Sequence, residues 1–431
     1  MRSIRARDAF AAIQRWLRAP VTITGEVLGA VFVGVVRATV PQAADAEAWG
    51  RFAAEQPALA RVVRATWLDR IVVSPWAVAA FGLSALSLWI VFLEVARRAA
   101  RRWRTLPTER SFASAPFSEL IERSAQATPT SGTTEVRGRL GLLGVPLLHA
   151  GLLLLIVAGL VRALLGADAT SWVLQGETLA AGPGSVQATE TGFLAPPFSL
   201  AEPVRLDAID LVLRADGTVD RESARLSIGD PPRPVPIAIN EAVDVGRGRL
   251  YLTQRHGFGV LVEGGTDGSE EKRAILLSSD GDLFTGQDVL RDGTSVRVRL
   301  RSLPDRPSSP VEMDVRVLRG PALLHAGPVG AEGEILWPGG RLKIHGMVPW
   351  VEIRMSEDPS TPIAWLGIGL LLLGVTLFAL VTPADVMIAP VPGTSSGVER
   401  VRVAMRPHRF AALHQDAFEA LVGRVRAGGS R

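Results

Sequence analysis

The chain has 431 residues, 47% of them hydrophobic, with a mean hydropathy of +0.23 and no cysteine. Without cysteine, disulfides, thiolate metal sites, thiol redox chemistry and covalent attachment of haem to this chain are excluded. The net charge is only +4, Lys occurs at Lys272 and Lys343 alone, and the arginines gather beside apolar runs, which favours a membrane surface over nucleic acid.

In chain order, the first apolar run covers 21–40 (VTITGEVLGAVFVGVVRATV) and carries Glu26 and Arg37. It can be read as a cleaved signal peptide with an Arg-rich flank, or as a retained helix. Its length of about 20 residues and the exit Thr39-Val40-Pro41-Gln42, which reads as a helix cap, favour retention. Three stronger runs follow at 72–95, 140–163 and 363–382. As helices, each is long enough to cross roughly 30 Å of hydrocarbon. Heavy use of Arg, Ala and Gly is that of a GC-rich genome and points to a bacterial source.

The arginines orient the spans. Arg2, Arg5, Arg7, Arg15 and Arg18 precede the first; Arg97, Arg98, Arg101, Arg102 and Arg104 follow the second; Arg400, Arg402, Arg406, Arg409, Arg424 and Arg426 follow the last. Residues 41–71 mix Arg with Asp45, Glu47, Glu55 and Asp69 and carry no cationic bias. The positive-inside rule then expects 1–20, 96–139 and 383–431 in the cytoplasm, and 41–71 and 164–362 outside. Four spans satisfy this pattern. Three would put one terminus on the wrong side.

Residues 164–362 have no long apolar run. Val296, Val298 and Leu300 alternate with Arg297, Arg299 and Arg301, and Val311, Met313, Val315 and Val317 repeat with the same period of two. Asp216-Gly217, Asp280-Gly281 and Asp292-Gly293 are hairpin signals, and Pro231-Pro232-Arg233-Pro234 marks a connection. The expected fold is a four-helix membrane protein with a large all-β extracytoplasmic domain, a sandwich or open barrel, between helices 3 and 4. At about 200 residues that domain can bury its own core. The tail after 382 reads as a short loop followed by an amphipathic helix near 410–424.

Local motifs follow this order of parts: Thr39-Val40-Pro41-Gln42, Ser74-Pro75-Trp76, Arg139-Leu140-Gly141 with Leu148-His149-Ala150-Gly151, and Gln175-Gly176-Glu177. They continue in Ala238-Ile239-Asn240-Glu241 with 248–254 (GRLYLTQ), and in Asp358-Pro359 with Trp365-Leu366-Gly367. In these motifs and in the order of its parts the chain resembles the ResB (CcsB) family of system II cytochrome c biogenesis. Three places depart from the family pattern. Trp89-Ile90-Val91-Phe92 stands where the family often has Cys, Asn-x-Pro-Leu becomes Asn240-Glu241-Ala242-Val243, and Ser360 replaces a turn glycine. The ten Trp are scattered and form no tryptophan-rich haem-handling run, so the resemblance implies a partner subunit of ResC (CcsA) type and not the complete haem ligase.

His149 lies about midway along its span, where a polar group needs a partner. The residues alone leave two readings open, an axial ligand of haem iron and a helix-packing histidine bonded to a neighbouring span. The resemblance implies the first, a transmembrane histidine that meets haem on its way outward. Glu26 could pair with His149, line a polar path or snorkel to the interface; Arg37 and Arg162 could meet haem propionates or snorkel. His256, His325 and His345 have no partner at metal-ligand spacing and read as surface or satisfied core residues, with His256 the best candidate of the three. His408 and His414 read as solvated. No Gly-x-Ser-x-Gly elbow or phosphate loop supports a hydrolase or nucleotide-binding reading.

The resemblance thus implies a non-catalytic subunit of a haem-attachment complex in a bacterial plasma membrane. It would help export haem and present it to apocytochrome c. Its partners would be a ResC/CcsA-like protein, apocytochrome c, thioredoxin-like proteins that keep thiols reduced, and the lipid bilayer, with no nucleic acid. The alternative is a membrane-anchored envelope scaffold without a cofactor.

Overall fold

The computed structural model describes residues 12–427 except Ile13, Gln14, Arg18, Ala44 and the segments 125–131, 214–218, 267–269, 281–282, 301–311 and 392–397. The chain forms two compact units: Met1–Val35 with Pro75–Ala163 and Pro359–Arg431, and Val36–Ser74 with Leu164–Asp358.

Four described helices are long and apolar enough to cross a membrane: Pro20–Thr39, Pro75–Arg104, Arg139–Leu165 and Thr361–Leu380. The second begins at Pro75, whose fixed φ suits the first position of a helix and whose missing N–H costs nothing there. The fourth is apolar all round and leaves Leu366, Leu372, Leu373 and Leu380 exposed, the pattern of a helix solvated by lipid. The third and fourth pack through glycines seven residues apart on each. A Cβ on Gly151 would lie 2.4 Å from Leu371 N, and one on Gly374 would lie 2.4 Å from Leu148 N. Small residues let two backbones approach closely where lipid supplies no hydrophobic drive.

The same unit holds a fold the sequence did not lead one to expect. Phe117–Ser124, Val398–Pro407, Ala384–Pro390 and Thr133–Arg137 form a four-stranded antiparallel sheet in that order. Ile121, Val386, Val401, Val403 and Met405 meet Phe418, Leu421, Val422 and Val425 of the helix Gln415–Arg426 in one core, and Phe117 stacks on Phe418. The amphipathic helix is present. The preceding short loop is corrected to two strands: Val401, Val403 and Met405 face the helix, and Ala384–Pro390 is buried on both faces, with Met387 packed against Phe112.

In the other unit, Ala46–Glu55 and Pro57–Ala65 make a helical hairpin whose core is Trp49, Ala60 and Val63. The rest is β. Thr178–Leu179, Val204–Leu213, Val219–Ile228 and Arg233–Ala238 form a four-stranded sheet. A longer sheet of eleven strands runs from Ala322–Gly330 through Glu312–Arg319, Thr294–Leu300, Leu283–Val289, Glu271–Asp280, Gly248–Thr266, Gly340–Glu357 and Ala167–Leu174 to Ala188–Thr191, with two short strands off this path. Neither sheet closes into a barrel. Val204, Leu226 and Ile237 of the smaller sheet share a core with Val173, Leu250 and Ile353 of the larger. A second core gathers Val260, Ile275, Val296, Val298, Leu300, Met313, Val315 and Val317.

The expected alternation is observed: Val296, Val298 and Leu300 are buried, while Arg297 and Arg299 are exposed. Arg301 and Val311 lie outside the described residues. Of the three hairpin signals, Asp216-Gly217 and Gly281 also lie outside them. Gly293 turns at φ 82° between two paired strands, with Leu290 N donating to Thr294 O at 2.8 Å.

Candidate functional site

His149 sits ten residues into the helix Arg139–Leu165, about 15 Å along its axis. Its Nδ1 is 2.8 Å from the carbonyl oxygen of Val145, one turn earlier on the same helix. A carbonyl only accepts, so Nδ1 carries a proton and donates; in the neutral ring the lone pair is then on Nε2. Among the described residues no other group bonds to the imidazole, so the neighbouring-span partner that a packing histidine would have is not seen. At 100° per residue, His149 points about 140–160° away from Gly144 and Gly151, which touch the fourth span. The glycine of the Leu148-His149-Ala150-Gly151 element is therefore explained by helix packing. The histidine is not.

The neighbouring candidates have other partners. Glu26 accepts a hydrogen bond from the buried hydroxyl of Ser87 on the second span and does not pair with His149. Arg37 Nη1 lies 3.5 Å from the buried carboxylate of Glu190 and forms an ion pair with it. Arg162 is half-buried in the last turn of the third span.

Several family-like motifs resolve into backbone requirements. Gln42 is buried and clips a returning segment: its Nε2 donates to Val40 O and Leu68 O, and its Oε1 accepts from Ile71 N. Gly176 turns at φ 88° while its N donates to Leu206 O, a position where a side chain would be strained. Asn240 stands at φ 67°, which Asn tolerates better than most residues.

The remaining histidines divide. His345 Nε2 lies 2.7 Å from Glu263. This hydrogen bond, with the charges of Lys272, His345 and Arg341, outweighs the opposing effect of desolvation and holds the Glu263 carboxyl below its usual value. His325 has a buried Nε2 without a partner. His256 follows a register shift in the strand Gly248–Thr266 and pairs with Val351 across the ladder. His408, expected to be solvated, is corrected to a largely buried residue whose Nε2 lies 2.9 Å from Asp385. Burial opposes ionisation of Asp385, but the His408 hydrogen bond and the charges of His408 and Arg406 outweigh it and hold the carboxyl low. His414 stands at the N-cap position of the last helix, half-exposed. No cluster of three or more His, Asp or Glu that could hold a metal ion occurs among the described residues.

Two groupings in the β unit join residues far apart in sequence. Glu352, 9% exposed, accepts from Trp172 Nε1 at 3.0 Å and Thr253 Oγ1 at 3.2 Å, and Arg255 Nη1 lies 3.2 Å away. Arg255 also reaches Asp45 on the helical hairpin. Beside this cluster, a cavity of about 1230 Å³ opens on the long sheet, lined among others by Trp172, Gln287, Arg297, Arg299 and Arg316. The sequence shows Arg297 and Arg299 only as alternating with apolar residues, and no local signal places them or Arg316 round a cavity.

A family model described as ResB-like matches residues 132–302. A curated relative, the cytochrome c biogenesis protein CcsB of Thermosynechococcus vestitus, is 26% identical over 344 residues, which cover 74% of this chain and 74% of the relative. The resemblance to the ResB (CcsB) family is borne out. The ResB-like match contains the third span with His149, the 175–177 turn, Asn240 and the 248–254 strand. The 39–42, 74–76 and 358–367 motifs lie outside it.

Proposed function

We propose that the chain is the ResB-type subunit of a cytochrome c maturation complex, which helps carry haem outward and present it to apocytochrome c. The comparisons support a role in cytochrome c biogenesis, and the four apolar helices fit a bacterial membrane protein. The observation that carries the haem step is His149. Its Nδ1 is engaged by Val145 O and its Nε2 is left as a lone-pair donor at mid-span, the form of imidazole that binds haem iron. Haem here is cargo; the chain's own contribution is to hold the imidazole in one tautomer and one orientation. In this reading 164–362 faces outward as an all-β domain between helices 3 and 4, with its two sheets packed face to face as a sandwich. The spans dock against a ResC/CcsA-like partner. Reduced thiols on the apocytochrome come from thioredoxin-like proteins, because this chain has none.

The test is copurification with a ResC/CcsA-like protein followed by absorption spectroscopy. The complex is expected to show a Soret band that His149→Ala lowers and that exogenous imidazole restores. A complex colourless in both forms would overturn the haem step and leave the envelope scaffold. An unchanged band in His149→Ala would assign the ligand to the partner.

A further inference from the structure

The cavity on the long sheet carries more cation than carboxylate: Arg51, Arg297, Arg299 and Arg316 line it with Asp288, which pairs with Arg273, and Asp314, which lies across the ladder from Arg299. Arg297 and Arg316 stand directly opposite each other on neighbouring strands, and Arg299 is two residues along on the same face. Like charges in this cross-strand arrangement destabilise a sheet. Among the described residues, Arg297, Arg299 and Arg316 have no ion pair or hydrogen bond. Other arginines of the same unit do find carboxylates: Arg273 reaches Asp288, Arg319 reaches Asp292, Arg341 reaches Glu270 and Arg354 reaches Asp168. An uncompensated like-charge pair facing a cavity is what a site for an anion requires before its ligand arrives.

The wall shows what kind of anion. Val298 and Trp350 are buried and Trp172, Ala274 and Leu276 are half-buried, so the surface is mixed, with Gln287, Ser278 and Thr285 beside the arginines and the carboxylates of Asp288 and Asp314. The lining runs from Ala326 on one strand to Trp172 on another, and these strands are the ends of a series of eight neighbours. Seven spacings of about 4.8 Å give roughly 34 Å along the sheet, the reach of about ten extended residues. We propose that this face binds an acidic polypeptide segment, which lies in the cavity with its carboxylates on Arg297, Arg299 and Arg316. The proposal does not depend on His149 or on haem.

The full chain in detergent would be titrated with a fluorescent decaglutamate peptide and read by anisotropy. Binding is expected to weaken as salt rises from about 0.05 to about 0.5 M. The double variant Arg297→Glu with Arg316→Glu should bind at least about tenfold more weakly. Arg297→Lys with Arg316→Lys should keep most of the affinity and the parent melting temperature, which separates a lost charge from a lost fold. Decalysine should not bind. Equal affinity in the Glu variant, equal binding of decalysine, or no salt-sensitive binding by the parent would overturn the proposal. So would arginine-dependent binding of a free porphyrin dicarboxylate with none of the peptide, which would assign the site to a small amphipathic acid.

Discussion

Asp292 shows how one carboxylate can hold a turn together. Its oxygens accept from Thr266 N at 2.9 Å, Thr294 N at 2.9 Å and Thr294 Oγ1 at 2.9 Å, and Arg319 Nη2 lies 2.8 Å away. Burial pushes against ionisation, yet these donors outweigh it and hold the carboxyl below its usual 3.8. A carboxyl that is more acidic folded than unfolded stabilises the fold above its unfolded value. That contribution disappears as pH falls through the lower, folded value. Asp292→Asn should therefore lower the melting temperature of the detergent-solubilised protein at neutral pH and flatten its dependence on pH below about 4. Hydrogen bonds to charged groups suggest a loss of about 2–3 kcal/mol at neutral pH. A pH profile parallel to the parent's would show that the acid sensitivity lies elsewhere. His149 is the contrasting case at this scale. Asp292 is explained by four contacts of its fold, whereas one backbone bond leaves half of the His149 imidazole uncommitted.

At the scale of elements, the glycine contact between the third and fourth spans makes the sharpest demand. With Leu148 N 2.4 Å from a Cβ on Gly374, backbone meets backbone and no side chain can turn aside. Gly374→Leu should therefore destabilise the solubilised protein by about 1–3 kcal/mol. Gly369→Ala, on the same helix with nothing within 4 Å, should be neutral. Unfolding in mixed SDS micelles checks both, and equal effects would show that the two spans do not pack through this face. The spans were legible from sequence because a bilayer demands runs of about 20 apolar residues. The Val296, Val298, Leu300 strand was legible because one face is buried and the next residue is not. The same period in Val401, Val403 and Met405 was passed over, because the intervening Arg400, Arg402 and Arg406 were counted only as topology signals. In the structure these have fold roles as well: Arg400 pairs with Glu122, Arg402 donates to Ser118 and Arg406 pairs with Asp385. The Glu352 cluster was illegible for a different reason, since Trp172 and Glu352 are 180 positions apart and only the sheet joins them.

For the whole molecule, the deciding matter is which parts face which side of the membrane. Five arginines at the end of the second span, Arg97 to Arg104, are exposed; Arg98 pairs with Glu94, and the charge of the other four remains available to bind anionic headgroups even though other arginines serve the small sheet. The expected sidedness puts the Phe117–Ser124 sheet inside and the long sheet outside. Because the chain has no cysteine, any introduced thiol is the only one on it. Ser114, in the exposed turn before the small sheet, and Lys272, exposed on the long sheet, are suitable positions. With a membrane-impermeant maleimide, Lys272→Cys should label where only the outer face of the plasma membrane is accessible. Ser114→Cys should label only after that membrane is opened. Equal labelling from outside would remove the orientation on which outward transfer of haem depends. The arginine cavity could still bind acidic peptide in that event, because its chemistry does not refer to the bilayer.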